Sequence, residues 1–473
     1  MATRAPIPHT PAPATRQAPG PRGLFLLGSI IDFKRDILQA MTRGQREFGD
    51  PVRYRLGPLI VHGVSHPDQA EEVFMDGKNV YGKLGPDNPL RLVLGDGLLT
   101  SSDHESWFRH RRMMQPIFHR QRLAILFDKM VACSKEMLAR WATCPAGDRL
   151  DVHHEMMRVT LDIVSQTMFS ANVMNDLDKI GPEAVNVTID YAFQRLQNPF
   201  SPPTSWPTPR NRRFKRVMRE LDRLLYRIIN ERRTGRQPHD DLLDMLLSAQ
   251  DEDTGEVMND KELRDEVITI LAAGHETTAI TLTWTWYLLS QHPDIERKLQ
   301  QEVDGVLAGR TPTLADLSSL PYTLQVFEES MRLYPSAPII PRLTSRATTL
   351  GGYDLPAGSR VLVNLFNLHR HPDFWPDPER FDPDRFAPER RKAQHRFAYL
   401  PFGAGPHICI GKSFALMEAH LLLILIAQRH ELRHVPGHRV MNHATITLRP
   451  RYGMLMTIHP RDGTRGGAGS PRP

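Results

Sequence analysis

The chain has 473 residues, a net charge of +6 at pH 7 and a sequence pI near 9.2. Its three cysteines, Cys133, Cys144 and Cys409, are too few for a disulfide framework, which argues against a stapled secreted domain and for a reducing, cytoplasmic compartment. The basic excess is spread along the chain without a nucleic-acid motif, so it fits an acidic protein partner better than DNA.

Length alone suggests about three domains. Residues 1–21 are rich in Pro and Ala, with no apolar core of signal length, and read as a disordered tail. Arg4 and Arg16 in this acid-free start hint at a transit peptide, but the prolines oppose the amphipathic helix it needs. The apolar piece 24–31 is too short to span a bilayer. Residues 52–64 carry apolar runs around Gly57-Pro58 and read as a β-hairpin, after which Pro67 opens a helix through Phe74. Residues 104–334 are mostly helical by periodicity. Strand character returns at 346–365, with turns at Gly351-Gly352 and Ala357-Gly358, and again at 445–458. Between them, 412–428 is strongly helical, and 461–473 reads as a second disordered tail. The class expected is mainly α with small β-sheets at the edges. Cys133 and Cys144 have no ligand-like context and read as packing or surface residues.

The string Pro401-Phe-Gly-Ala-Gly-Pro-His-Ile-Cys-Ile-Gly411 presents Cys409 from a glycine-rich loop just before a helix. Glycines let backbone approach a flat cofactor, and the helix start favours a thiolate. A buried free cysteine is the alternative for a lone Cys. The string resembles the haem-binding signature of the cytochrome P450 family, in which Phe402, Gly405, Cys409 and Gly411 fall at fixed positions. The resemblance implies one large helical domain over about 22–460, of triangular-prism architecture, with haem b as cofactor and Cys409 as the iron ligand. A thiolate under haem iron favours O–O cleavage. His407 stands where the family has an arginine on a haem propionate, so that contact depends on the histidine's charge.

Residues 267–289 form the longest apolar run, but Gly274-His-Glu-Thr-Thr278 lies in its middle. Ionisable groups are costly in lipid, so a buried central helix is expected rather than a span. Ala273-Gly-His-Glu-Thr-Thr278 resembles the family's oxygen-binding signature. It implies Thr277 as the alcohol that relays protons and Glu276 as the acid that resupplies them. Gly274, lacking a side chain, would let oxygen approach the helix. Read without the resemblance, Glu276 is a solvated charge and the threonines are helix filler.

Glu329 and Arg332 are three apart on one helical face, and Pro335 closes that segment. They resemble the family's buried Glu-x-x-Arg pair. Residues 375–386 resemble its proline-rich meander, in which Arg385 joins that pair. These three are assigned to structure and haem retention. Trp107 and Arg111, four apart, match a propionate pair, and Arg342 aligns with another propionate arginine. With His407 they complete the expected set. His104 is a weaker candidate.

The resemblance places substrate contacts at 81–99, at 198–209, at Ile270, Leu271 and Ala273 on the central helix, at Ala337, Ile339 and Ile340, and at a late turn containing Thr445. These positions are mostly apolar, which implies a lipophilic substrate such as a fatty acid, terpene, steroid, carotenoid or polyketide. Arg210, Arg212, Arg213, Lys215 and Arg216 read as a solvated helix start. No flavin or iron–sulfur segment follows the Cys409 loop, so electrons are expected from an external ferredoxin or flavodoxin with its reductase. Arg390, Arg391, Lys392, His395 and Arg396, with Arg109, Arg112 and Lys412, would form its basic docking face. The reading is a soluble, monomeric haem-thiolate monooxygenase without a membrane anchor, using O2. A peroxide-driven peroxygenase is one alternative, and the intact Glu276–Thr277 pair argues against it. A non-catalytic haem sensor or carrier is another.

Overall fold

The computed structural model describes residues 16–76, 80–85, 88–170, 184–198, 201–235, 239, 241–251 and 255–461. Through its middle runs the 32-residue helix Asp260–Gln291. Asn259 starts it: its side chain accepts from the Lys261 and Glu262 N–H groups, and Glu262 accepts in return from the Asn259 N–H. Apolar residues surround this helix on all sides, so it must be enclosed by protein. Helices Val152–Met168, Pro209–Thr234, Pro321–Leu333 and Lys412–Arg429 pack against it. Arg264, Asp265, Glu266, His275 and Glu276 are all buried along it. No helix among the described residues is long and apolar enough to cross a membrane.

Helix Val152–Met168 lies antiparallel to the central helix at close range. Thr160 Oγ1 donates to the His275 carbonyl at 3.0 Å. A Cβ on Gly274 would stand 2.9 Å from Val164 Cγ2. The glycine expected to admit oxygen is therefore required by this helix crossing, because a larger residue would push the two helices apart.

The β structure sits at the edges. In a five-stranded sheet, Val52–Leu56, Leu59–Val64, Arg360–Asn364, Ile339–Thr344 and Tyr81–Gly82 lie side by side in that order. The 52–64 hairpin is as expected. Strand Ile339–Thr344 has no counterpart in the sequence reading, where Pro341 masks it. Pro341 faces Leu362 on one side, while Tyr81–Gly82 pairs only at Leu343 and Thr344, so its missing N–H costs nothing there. A second sheet orders Arg149–Asp151, Leu455–Pro460 and His430–His434, joining the chain's end to an early strand. His430–His434, with the sequence HELRH, hides behind its charges. Residues 1–15 and 462–473 of the expected tails lie outside the described residues. Residues 16–21 pack along the first hairpin: the Arg53 N–H donates to the Pro19 carbonyl at 2.8 Å, and Ala18 is buried.

Candidate active site

The loop before helix Lys412–Arg429 is folded by its glycines. Gly403 and Gly405 have φ of +68° and +69°. A Cβ on Gly405 would stand 1.9 Å from the Phe74 carbonyl oxygen, so only glycine fits. The Cys409 N–H donates to the Phe402 carbonyl at 3.0 Å, and Gly411 occupies the position before the helix. The Cys409 side chain faces open space. Burial by the surrounding chain nonetheless raises its thiol above the ordinary value. The Gly411 N–H, Arg111 and Lys412 pull the other way. The helix start alone does not make a thiolate here. A bound metal would, because coordination displaces the thiol proton.

Beside this loop, several cations converge without forming ion pairs among the described residues. Arg342, from strand Ile339–Thr344, is 7% exposed and donates to the Pro341 carbonyl at 3.0 Å. Arg111 lies over the Trp107 ring at 5.5 Å and Lys83 over the same ring at 4.9 Å. None of the three forms an ion pair among the described residues. Burial drives the Lys83 pKa down to about 7 and that of Arg342 to about 10. His407 packs on Trp107, with ring centroids 4.0 Å apart, and its buried Nδ1 has no partner. Burial, with Lys83 and Arg342 beside it, pushes its pKa down to about 3, so it is neutral. His104 stands 6.3 Å from Trp107, ring to ring.

Two expectations change in detail. The Trp107 Nε1 donates to the Leu98 carbonyl at 3.1 Å, so its ring holds the cations in place rather than offering a donor to a carboxylate. Lys83, read before only as part of a substrate loop, belongs to the cluster. Like charges gathered in a partly buried site repel one another, and a polyanion between them would relieve that repulsion. A haem with two propionates fits the cluster, the orphaned His407 nitrogen and the thiol-bearing loop.

On the central helix, Ala273 is exposed, and Gly274 and Thr277 are half-exposed, in an otherwise buried helix. Thr277 Oγ1 donates to the Ala273 carbonyl at 2.9 Å. The Thr277 carbonyl accepts from Thr281 Oγ1 at 3.1 Å and from Ser336 Oγ at 2.7 Å. Ile270 shares the Ala273–Thr277 face by helical spacing, and both it and Leu271 are buried in the main apolar core. Glu276 points to the other side. It is buried, and its Oε1 accepts from Thr447 Oγ1 at 2.8 Å and from Arg449 Nε at 2.5 Å. Arg449 reaches on to Asp190 at 3.0 Å. Thr447, Arg449 and Ser336 carried no motif by which the sequence could flag them.

Ile340 approaches the Gly403 turn, and Ile339 packs instead against the cluster around Phe33. Ala337 is half-buried. The Thr445 hydroxyl is spent within its turn, donating to the Thr447 carbonyl at 3.0 Å.

Behind the cysteine loop, Glu329 and Arg332 are fully buried and form a two-bond fork, each bond 2.7 Å. Arg332 also donates to the carbonyls of His369, Pro378 and Arg380, which fixes the meander. Arg385 joins by charge, with Nε 3.5 Å from Glu329, while its Nη2 donates to the Asp377 carbonyl. The expected basic docking face is thinner than its sequence suggests. Arg391 is bound by Glu328, Arg390 by Asp382, Arg109 by Glu256 and Glu262, and Arg112 by Asp251. Lys392, Arg396 and Lys412 are exposed and form no ion pair among the described residues.

Comparison with known proteins agrees with this geometry. The cytochrome P450 family profile matches residues 18–456. Cyclooctatin synthase of Streptomyces melanosporofaciens is 38% identical over 95% of this chain and 96% of its own. Cyclooctat-9-en-7-ol 5-monooxygenase of the same organism is 35% identical over 92% of this chain and 95% of its own. Pentalenene oxygenase of Streptomyces avermitilis is 37% identical over 79% of this chain and 82% of its own. The crystal structure of the cytochrome P450DA heme domain superposes with a TM-score of 0.86 at 26% identity, covering 95% of this chain and 99% of that one. The chain belongs to the cytochrome P450 family, and it is a P450 monooxygenase.

Proposed function

We propose that this monooxygenase oxidises a lipophilic terpene, with haem b held by Cys409 and electrons supplied by an external ferredoxin or flavodoxin. The observation that carries the substrate class is the exposed Ala273–Thr277 face, which offers methyl groups and a single hydroxyl and no charge. The only acid nearby, Glu276, is turned away and paired. Such a wall orients an apolar molecule by shape. The relatives named for cyclooctatin and pentalenene support the same class.

Bound at this site, haem supplies the iron at which O2 is reduced and cleaved. The protein's part lies in its residues. Lys83, Arg111, Arg342 and His407 bind the propionates. Thr277 offers a hydroxyl at the open face, and Glu276 supplies protons behind it. Glu329, Arg332 and Arg385 hold the backbone that presents Cys409. The working compartment is the cytoplasm and the working unit a monomer.

Optical titration of the ferric enzyme with cyclic terpenes and their alcohols tests the class. A low-to-high-spin shift with terpenes, and none with small polar compounds, is expected. A shift with polar compounds alone would overturn it.

A further inference from the structure

Glu418 is the buried acid with no place in the chemistry described so far. It lies in helix Lys412–Arg429, which follows directly from the Cys409 loop, and it is fully buried. Neither carboxyl oxygen has a hydrogen-bond partner. The surrounding core is apolar, and burial raises its pKa well above the usual carboxylate range. The one polar group acting on it from another side chain is the Thr278 hydroxyl. Cys133 of helix Arg120–Trp141 is near enough to feel its charge.

Thr278, like Thr269, differs from the other threonines of its helix. Thr277, Thr281, Thr283 and Thr285 each donate to the carbonyl four residues back, at 2.9, 3.1, 2.7 and 2.8 Å. Thr278 makes no such bond. Its hydroxyl is buried and unpartnered, released from its own backbone. Two buried polar groups without local partners, close enough to act on one another, have complementary needs. A neutral carboxyl offers one O–H donor and one carbonyl acceptor, and a threonine hydroxyl offers both. An ionised Glu418 with no partner would be far more costly.

We propose that Glu418 and Thr278 form a buried hydrogen-bonded tether, direct or through one water, that makes Glu418 a positioning residue for Thr277. The tether joins the helix that presents the cysteine ligand to the helix that presents the distal hydroxyl. It fixes the rotation of the distal helix one residue past Thr277, where a small turn re-aims that side chain. Its effect on coupling rests on the role of Thr277 given above. The tether itself does not.

The test uses infrared spectra of the haem-loaded enzyme in H2O and D2O. The wild type is expected to show a protonated-carboxyl C=O band that disappears in Glu418→Gln and moves in Thr278→Val. In turnover, Glu418→Leu and Thr278→Val are each expected to raise peroxide released per electron pair by about fivefold, the scale of one neutral hydrogen bond. The double variant should do no worse than either single, because the pair acts as a unit. Glu418→Gln should restore coupling relative to Glu418→Leu, since the amide also donates and accepts. If Glu418→Leu does not fold, the band and Thr278→Val still decide. Absence of the band, or a band that Thr278→Val leaves unmoved, would overturn the tether. An unmoved peroxide ratio in Thr278→Val would overturn the positioning role. If Thr277→Ala were to leave coupling intact while the band behaved as described, the reading of Thr277 would fall and the tether would stand.

Discussion

Arg449 Nε stands 2.5 Å from Glu276 Oε1, so the acid beside Thr277 is held by a cation 173 residues further along the chain. Arg449 also reaches Asp190 at 3.0 Å and so joins the central helix to helix Ala184–Gln197. Removing one member of a buried pair leaves the other charge uncompensated, at about 3–5 kcal/mol. Arg449→Met is therefore expected to lower unfolding stability by about that amount in denaturant titrations. Adding Glu276→Gln should return part of the loss, because no charge is then stranded. A double variant less stable than the single would contradict the pairing.

Thr277 presents the one hydroxyl on the open face of the central helix, and it now donates to the Ala273 carbonyl. To act on oxygen it must leave that bond, which costs on the order of 1 kcal/mol and is recovered by the new contact. Thr277→Ala is expected to keep haem binding while product per electron pair falls about tenfold or more, as loss of a proton-transfer group predicts. The missing electrons should appear as peroxide. Thr277→Ser should retain most coupling. Parallel assays of product, peroxide and consumed reductant check both.

Lys83 gives a pH signature. Its pKa falls from 10.5 to about 7 in the fold, chiefly through burial and then through Arg342. Between those values the unfolded chain binds a proton that the folded chain does not. Stability of the apoprotein from this group therefore rises with pH across that window. Melting curves of apoprotein should show that rise in wild type and a reduced one in Lys83→Met. With haem bound, the propionates keep Lys83 charged, so the two proteins should run parallel. Parallel curves in the apoprotein would place Lys83 outside the cluster.

What the sequence made legible follows from how local each signal is. The Cys409 loop, the Glu329–Arg332 pair and the central helix each lie within a few residues, and each stands where its motif placed it. Glu276 was legible as an acid beside an alcohol, but its partner lies 173 residues on, and no spacing rule connects them. The same holds for Lys83, whose role depends on Arg111 and Arg342 arriving from a helix and a strand. Strand Ile339–Thr344 was hidden because tertiary pairing tolerates a proline that local propensity does not. Gly274 was legible for its small size, and the structure adds a neighbour no motif names: a Cβ there would meet Val164.

The surface around the cysteine loop separates charges free to dock a partner from charges already committed. Arg391 forms two bonds with the buried Glu328, at 2.7 and 2.9 Å. Reversing it would strand Glu328, though Arg391 is half-exposed and solvent screens the pair, so Arg391→Glu is expected to lower stability by about 1–3 kcal/mol. Lys392 and Lys412 are exposed and form no ion pair among the described residues, and a reversed charge there would perturb the approach of an acidic partner with little effect on the fold. Lys392→Glu with Lys412→Glu is expected to slow reduction by an acidic ferredoxin about tenfold at low ionic strength, with the difference shrinking as salt screens it. Stopped-flow reduction at several salt concentrations measures this. A rate unchanged at low salt would move the docking surface away from the Cys409 loop.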